Sequence, residues 1–152
     1  AGTTDGPPHR PYELTVADLD RAEPFYDELL PLLGFDLDRK NWDNIPEHEF
    51  RCVDYGSPAF DLTLICPRPA LTGEAVCRRK PVSLHHLAFG VDRREEVDRL
   101  YGQVRAIPGA AIRLPPRFYR EYTPDDYAFF FYDTEGIELE IVHFDRPACF
   151  RR

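Results

Sequence analysis

Apolar residues along this chain fall into two spacings, and the order of the spacings recurs. Residues 12–16 (YELTV) alternate polar and apolar positions with period two, the mark of a strand with one buried face. Leu19, Ala22, Phe25, Tyr26, Leu29 and Leu30 then follow at three- and four-residue intervals, the mark of an amphipathic helix. Asp18 stands where a cap accepts the free N–H groups of the first turn. Pro24 inside that helix predicts an early kink. Gly34 stops it, and residues 35–38, 49–54 and 60–65 read as three more strands. After a segment rich in proline, the order returns. A strand over 84–91 precedes a helix over 93–105 with Val97, Leu100, Tyr101 and Val104 on one face. A strand over 111–114 and a hairpin of 127–132 with 137–143 complete the set. Each half is therefore βαβββ, and the class is α+β.

The repeat also shows in residue identities. An offset of 75 places Pro11 on His86, Leu14 on Phe89, Val16 on Val91, Tyr26 on Tyr101 and Gly34 on Gly109. An offset of 79 places Asp54 on Asp133 and Asp61 on Glu140, with four residues inserted between the helix and the hairpin. The expected organisation is a flexible arm over 1–10, a first module over 11–66, a linker over 67–82, a second module over 83–145 and a tail over 146–152. Together they make one compact domain.

Composition narrows the partners. At 152 residues and 17.6 kDa, with 43% hydrophobic and 13% aromatic residues, the chain has the apolar content of a folded domain. A net charge of −8 and a pI near 5.1 oppose binding to nucleic acid or to an anionic membrane. The basic runs Arg78–Arg79–Lys80 and Arg93–Arg94 read as solvated surface. Cys52, Cys66, Cys77 and Cys149 show no metal or redox spacing, and no stretch has the length or composition of a leader or a membrane span. The reading is a reduced, cytoplasmic protein. Signatures for nucleotide binding, serine acyl transfer and helical zinc proteases are absent.

Candidate chemistry gathers where the repeat points. Successive strand residues face opposite ways, so only one of His85 and His86 is expected to face a given cavity, and His143 is expected to face away from Glu140. A pseudo-twofold axis would bring Pro11, Asp61, His86 and Glu140 together. Residues 115–126 are long for a connection and carry Phe118, Tyr119 and Tyr122, so they read as a lid. Tyr122, or Tyr127 at the next strand's start, is a candidate hydrogen-bonding group for a ligand or a metal-bound water. In the run 127–132, either Phe129 and Phe131 or Phe130 and Tyr132 line the cavity.

The stretches YELTVADLDRAEPFYDELLPLLGF, LHHLAFGVDRREEVDRLY and YAFFFYDTEGIELEIVH together resemble the vicinal oxygen chelate superfamily, the glyoxalase-like proteins, over Pro11 to Phe144. The resemblance implies paired modules forming a curled, cup-like mixed sheet with helices outside. It also implies a divalent metal ion held by strand residues. By it, His86 and Glu140 are metal ligands, and Asp61 falls where some members place a first-module glutamate. Pro11 falls where most members place a histidine and coordinates nothing. Glu13, two residues along the same strand, is the candidate to supply an oxygen or act as a base. Such a carboxylate-rich set suits Mn(II), Fe(II), Ni(II), Co(II) or Zn(II).

The function expected is a metal-dependent lyase, isomerase or dioxygenase acting on a small oxygen-rich substrate, in a homodimer. The rival is a drug-sequestering protein of the antibiotic-resistance type without protein-held metal. Pro11, acidic charge and aromatic walls suited to a cationic ligand speak for the rival.

Overall fold

The structure, a computed structural model, describes residues 11–145. The arm expected over 1–10, the tail expected over 146–152 and Cys149 lie outside the described residues. The first half runs β1 (Pro11–Thr15), α1 (Leu19–Leu32), β2 (Asp36–Ile45), β3 (Phe50–Gly56) and β4 (Asp61–Ile65). The second runs β5 (Leu87–Gly90), α2 (Arg94–Arg105), β6 (Ala111–Phe118), β7 (Tyr127–Tyr132) and β8 (Glu138–His143). Each half forms its own four-stranded mixed sheet, ordered β1-β4-β3-β2 and β5-β8-β7-β6. In both, the first and last strands pair in parallel and the rest are antiparallel. This is the α+β arrangement of two βαβββ modules.

Local chemistry explains the helices. Asp18 caps α1 by accepting from the Arg21 N–H at 3.1 Å, and α1 buries all six of its predicted apolar positions. It runs through both Pro24 and Pro31. Of the predicted face of α2, Val97, Leu100 and Val104 are buried while Tyr101 is only half-buried. Gly34 and Gly109 end corresponding turns with the same φ of 91°, a left-handed conformation that costs a side chain energy. A Cβ at Gly34 would meet nothing, whereas one at Gly109 would lie 2.6 Å from Thr134 Cγ2. Gly34→Ala is therefore expected to lose only about 1 kcal/mol of conformational energy. Gly109→Ala adds a clash and should lose visibly more in a urea titration.

Three strands differ from expectation. β2 is longer than residues 35–38 because nearly every side chain on it is exposed, leaving no apolar alternation to mark it. β6 continues past 114 through Pro115 and Pro116 to Phe118. It is an edge strand with shifted register, the setting in which a missing N–H is tolerated. The connection to β7 is accordingly shorter than the expected lid, and Tyr119 within it is buried. β5 starts at Leu87, so His85 and His86 precede the strand.

The sheet registers also correct the second offset. Val16 donates to the Ile65 carbonyl as Val91 donates to that of Val142, and Asp54 pairs with Thr63 as Phe130 pairs with Glu140. The last strands thus correspond at 77 residues. Thr63, not Asp61, is the counterpart of Glu140, and Asp61 is the counterpart of Glu138. The counterpart of Asp133 is Ser57, which holds the β3–β4 turn by bonds to the Phe60 N–H and carbonyl, as Asp133 accepts from Glu135 and Ile137 N–H groups.

The two modules share one apolar core, with Phe60 stacked on Phe89 across the junction. A polar latch crosses it too. Glu135, whose side chain is fully buried, accepts from the Asp18 N–H and from the Arg21 guanidinium. Tyr26 donates to Asp133 Oδ2 at 2.6 Å.

Candidate metal centre

The face of the second sheet away from α2 carries the site. Phe129 and Phe131 are fully buried in the core, so alternation turns Phe130 and Tyr132 to the opposite face. Glu138 and Glu140 share that face on β8, since Leu139 and Ile141 fill the core. Together with His85, His86, Arg78, Arg113 and Tyr119 they line a cavity of about 400 Å³.

His86 Nε2 lies 3.7 Å from Glu140 Oε2, a span that two donors about 2.1 Å from one ion can have. His85 Nδ1 sits 2.8 Å from His86 Nδ1, and ligand atoms of His85, His86 and Glu138 all fall within 4.8 Å of one another. The alternation rule that separated the two histidines does not apply, because both stand in irregular chain ahead of β5. When His86 Nδ1 donates to His85, Nε2 is left bare toward Glu140, as a metal-ligating imidazole requires. Burial, followed by the neighbouring His85, lowers the His86 pKa and keeps the ring neutral at neutral pH.

Glu140 is held in the opposite sense. Burial, then Asp126 and Glu138, push its pKa from 4.5 up to about 7. Without metal, ionising Glu140 therefore opposes folding. The favourable contribution is complete below pH 4.5 and lost as pH rises through 7, a swing on the order of 3 kcal/mol. Metal-free protein in chelator should melt higher at pH 5.5 than at pH 8, and Glu140→Gln should flatten that difference.

Glu138, 1% exposed, receives Arg78 on Oε2, while Arg113 Nη1 stands 3.0 Å from Oε1. Arg113 is off the line that a hydrogen bond needs, and Oε1 has no hydrogen-bond partner. A carboxylate oxygen without a hydrogen-bond partner, beside the His85 and His86 imidazole rings and a second carboxyl group, is a donor set that fits a divalent cation.

Of the other expected residues, Tyr122 joins this cavity, and Asp61, Glu13 and Tyr127 lie elsewhere. Among the described residues, those lining this cavity come from 78–140. Asp61 sits on the first sheet with Oδ1 beside Gly56, and Glu13 is exposed on β1 opposite Thr63. Tyr127 turns toward α2 and donates to Asp98 at 2.7 Å, placing it on the other side of the sheet from Glu140. Tyr122 reaches the cavity's mouth, stacked on Tyr119 and 74% exposed. His143 is turned away from Glu140, its Nδ1 2.9 Å from the Val91 carbonyl. A second donor group, Asp43, Cys52 and Asp54, lies on the first sheet. There Asp54 is engaged by Thr63, and burial raises the Cys52 pKa, so the thiol stays protonated.

Arg78, expected on a solvated surface, instead folds inward to pair with buried Glu138, and neither Arg113 nor Glu138 stands out in the sequence by itself. A proline-rich linker gives no sign that Arg78 folds inward. Glu138 was legible from its two-residue spacing to Glu140.

The architecture is that of the vicinal oxygen chelate fold. Among solved structures with this fold, a glyoxylase/bleomycin resistance protein/dioxygenase domain from a Frankia strain aligns with a TM-score of 0.70 and 21% identity, covering 95% of both chains. A glyoxalase/bleomycin resistance protein from Albidiferax ferrireducens aligns at 0.60 and 22% identity, over 89% of this chain and 97% of the other. The fosfomycin resistance protein FosX from Listeria monocytogenes, complexed with Mn(II) and sulfate, aligns at 0.60 and 16% identity, over 95% and 97%. No family model matches the chain, and no curated protein matches it. No helix among the described residues is long and apolar enough to cross a membrane.

Proposed function

We propose that this protein is a divalent-metal-dependent enzyme of the glyoxalase-like type, acting on a small oxygen-rich substrate in the second module's cup by lyase, isomerase or dioxygenase chemistry. The observation that carries the reading is the convergence of neutral His86 with Glu140 at 3.7 Å, with His85 and the orphaned Glu138 Oε1 in the same cavity. His86 and Glu140 would hold the ion, with His85 or Glu138 completing the set. A bound Mn(II), Fe(II), Ni(II), Co(II) or Zn(II) supplies polarisation of adjacent substrate oxygens. The FosX neighbour is a Mn(II) complex, which supports a metal on this fold.

The protein's own groups shape the rest of the cup. Tyr119, Leu114 and Phe130 form an apolar wall that keeps water from the donors and strengthens charge interactions beside them. Tyr122 stands at the entrance. Asp61 does not line the cup, so the reading does not depend on a ligand from that position of the same chain.

Metal analysis of protein purified without chelator and then soaked with each of the five ions tests this. One ion per chain is expected. Absence of stoichiometric metal under every condition would overturn the reading and favour metal-free sequestration.

A further inference from the structure

Charge inside the cup differs from charge on the chain. The molecule is acidic overall at −8, whereas this cavity sets three guanidinium groups, Arg78, Arg113 and Arg117, against three carboxyl groups, Glu121, Glu138 and Glu140. Arg78 and Arg113 converge on one buried carboxylate, Glu138. Each guanidinium has five N–H donors, so two of them exceed what a single carboxylate accepts. Arg117 pairs with Glu121 where both are about half exposed, a weak and exchangeable contact.

A second, independent feature points the same way. Tyr119 is 5% exposed, and its hydroxyl is buried without a hydrogen-bond partner. The Arg117 guanidinium lies over the ring face, 3.7 Å from its centre, and can only donate toward the oxygen, so the hydroxyl's own hydrogen still lacks an acceptor. The ring also stands edge-on to Phe130, which packs in turn against His86. A buried, unsatisfied donor is costly, and a ligand acceptor placed in the cavity would remove that cost.

We propose that the substrate of this cup is an organic anion, whose carboxylate or phosphate-like oxyanion is held by the Arg113 guanidinium and the Tyr119 hydroxyl beside the His86 and Glu140 donors. The proposal rests on the reading of the second module's cup as the functional site. It opposes the cationic cargo that the net charge of the chain suggests. An ammonium group placed between Arg113 and Tyr119 would face the Arg113 guanidinium and leave the hydroxyl hydrogen of Tyr119 without an acceptor.

Calorimetric titration in chelator separates this proposal from the metal reading. The probes are malonate, methylphosphonate and choline, and metal content is measured separately on the same proteins. Saturable binding of malonate or methylphosphonate, with no binding of choline, is expected, and the tighter of the two anions identifies the headgroup. Tyr119→Phe should weaken the anion about tenfold while leaving the melting temperature unchanged or raised, because it removes an unsatisfied buried hydroxyl, and it should retain the metal stoichiometry. Arg113→Gln should weaken the anion as well, with Glu138 still held by Arg78. Binding of choline in place of both anions, or equal anion affinity in Tyr119→Phe and the parent, would overturn the proposal. A chain that takes metal but neither anion would lose this proposal alone. A chain that binds the anion but no metal would lose only the metal reading.

Discussion

Replacing Asp133 with alanine is expected to remove roughly 3–5 kcal/mol of folding stability, the cost of breaking a buried network by deleting its acceptor. Three donors depend on that carboxylate: the Tyr26 hydroxyl at 2.6 Å, and the N–H groups of Glu135 and Ile137, each at 2.8 Å. Tyr26 is wholly buried and Asp133 is 5% exposed, so water cannot take over. Tyr26→Phe breaks one bond and keeps two, so its loss should be nearer 1.5–3 kcal/mol, the range for hydrogen bonds to charged groups. For a chain this long, 3–5 kcal/mol corresponds to a melting shift on the order of 10 °C. Urea unfolding of both variants checks the order. Equal losses would mean that the turn N–H groups find other acceptors.

The second large effect concerns the metal. His86→Ala should lower metal affinity by at least about a hundredfold, roughly 3 kcal/mol, because it removes the one donor in direct contact with both His85 and Glu140. Glu140→Gln should weaken metal less, since it retains an oxygen while losing charge. Asp61→Asn should leave affinity unchanged, because Asp61 does not line the cup. Competition against a metal-binding dye reads all three. An Asp61 effect as large as that of His86 would show that a first-module residue reaches the ion, from this chain or from a second copy.

Much of the architecture was legible because it depends on patterns repeated over several turns or strands. The six apolar positions of α1 and the Asp18 cap could be read directly, and so could the paired glycines at 34 and 109, whose identical φ reflects one geometric need met twice. β2 was only partly legible, because an edge strand with both faces wet has no hydrophobic alternation. The end of β6 was hidden by two prolines, which argue against a strand everywhere except at an edge.

For the proposed site, the repeat points to His86 through the position of Pro11, whereas it reaches Glu140 only through an offset that the sheet registers replace. Asp61 was misaligned because the offset was taken from the match of Asp54 with Asp133. The structure matches Asp133 to Ser57, a different residue type doing the same turn-holding work. Alternation separates His85 from His86 only within a strand, and β5 begins two residues after His85. Arg78 had no local signal, since its role comes from a fold-back over 60 residues to Glu138.

Among the described residues the cup draws its lining from 78–140, and this makes the duplicated halves unequal in what they can tolerate. On the first sheet, the face bearing Glu13, Thr63 and Asp54 carries no group of the cup, so substitutions there are filtered only by folding. The matching face of the second sheet is filtered twice, by folding and by chemistry. A library of single substitutions, sorted once for abundance and once for metal retention, should give matching tolerance maps over the first half and diverging ones over the second. The point of divergence marks how far the site extends without reference to any substrate.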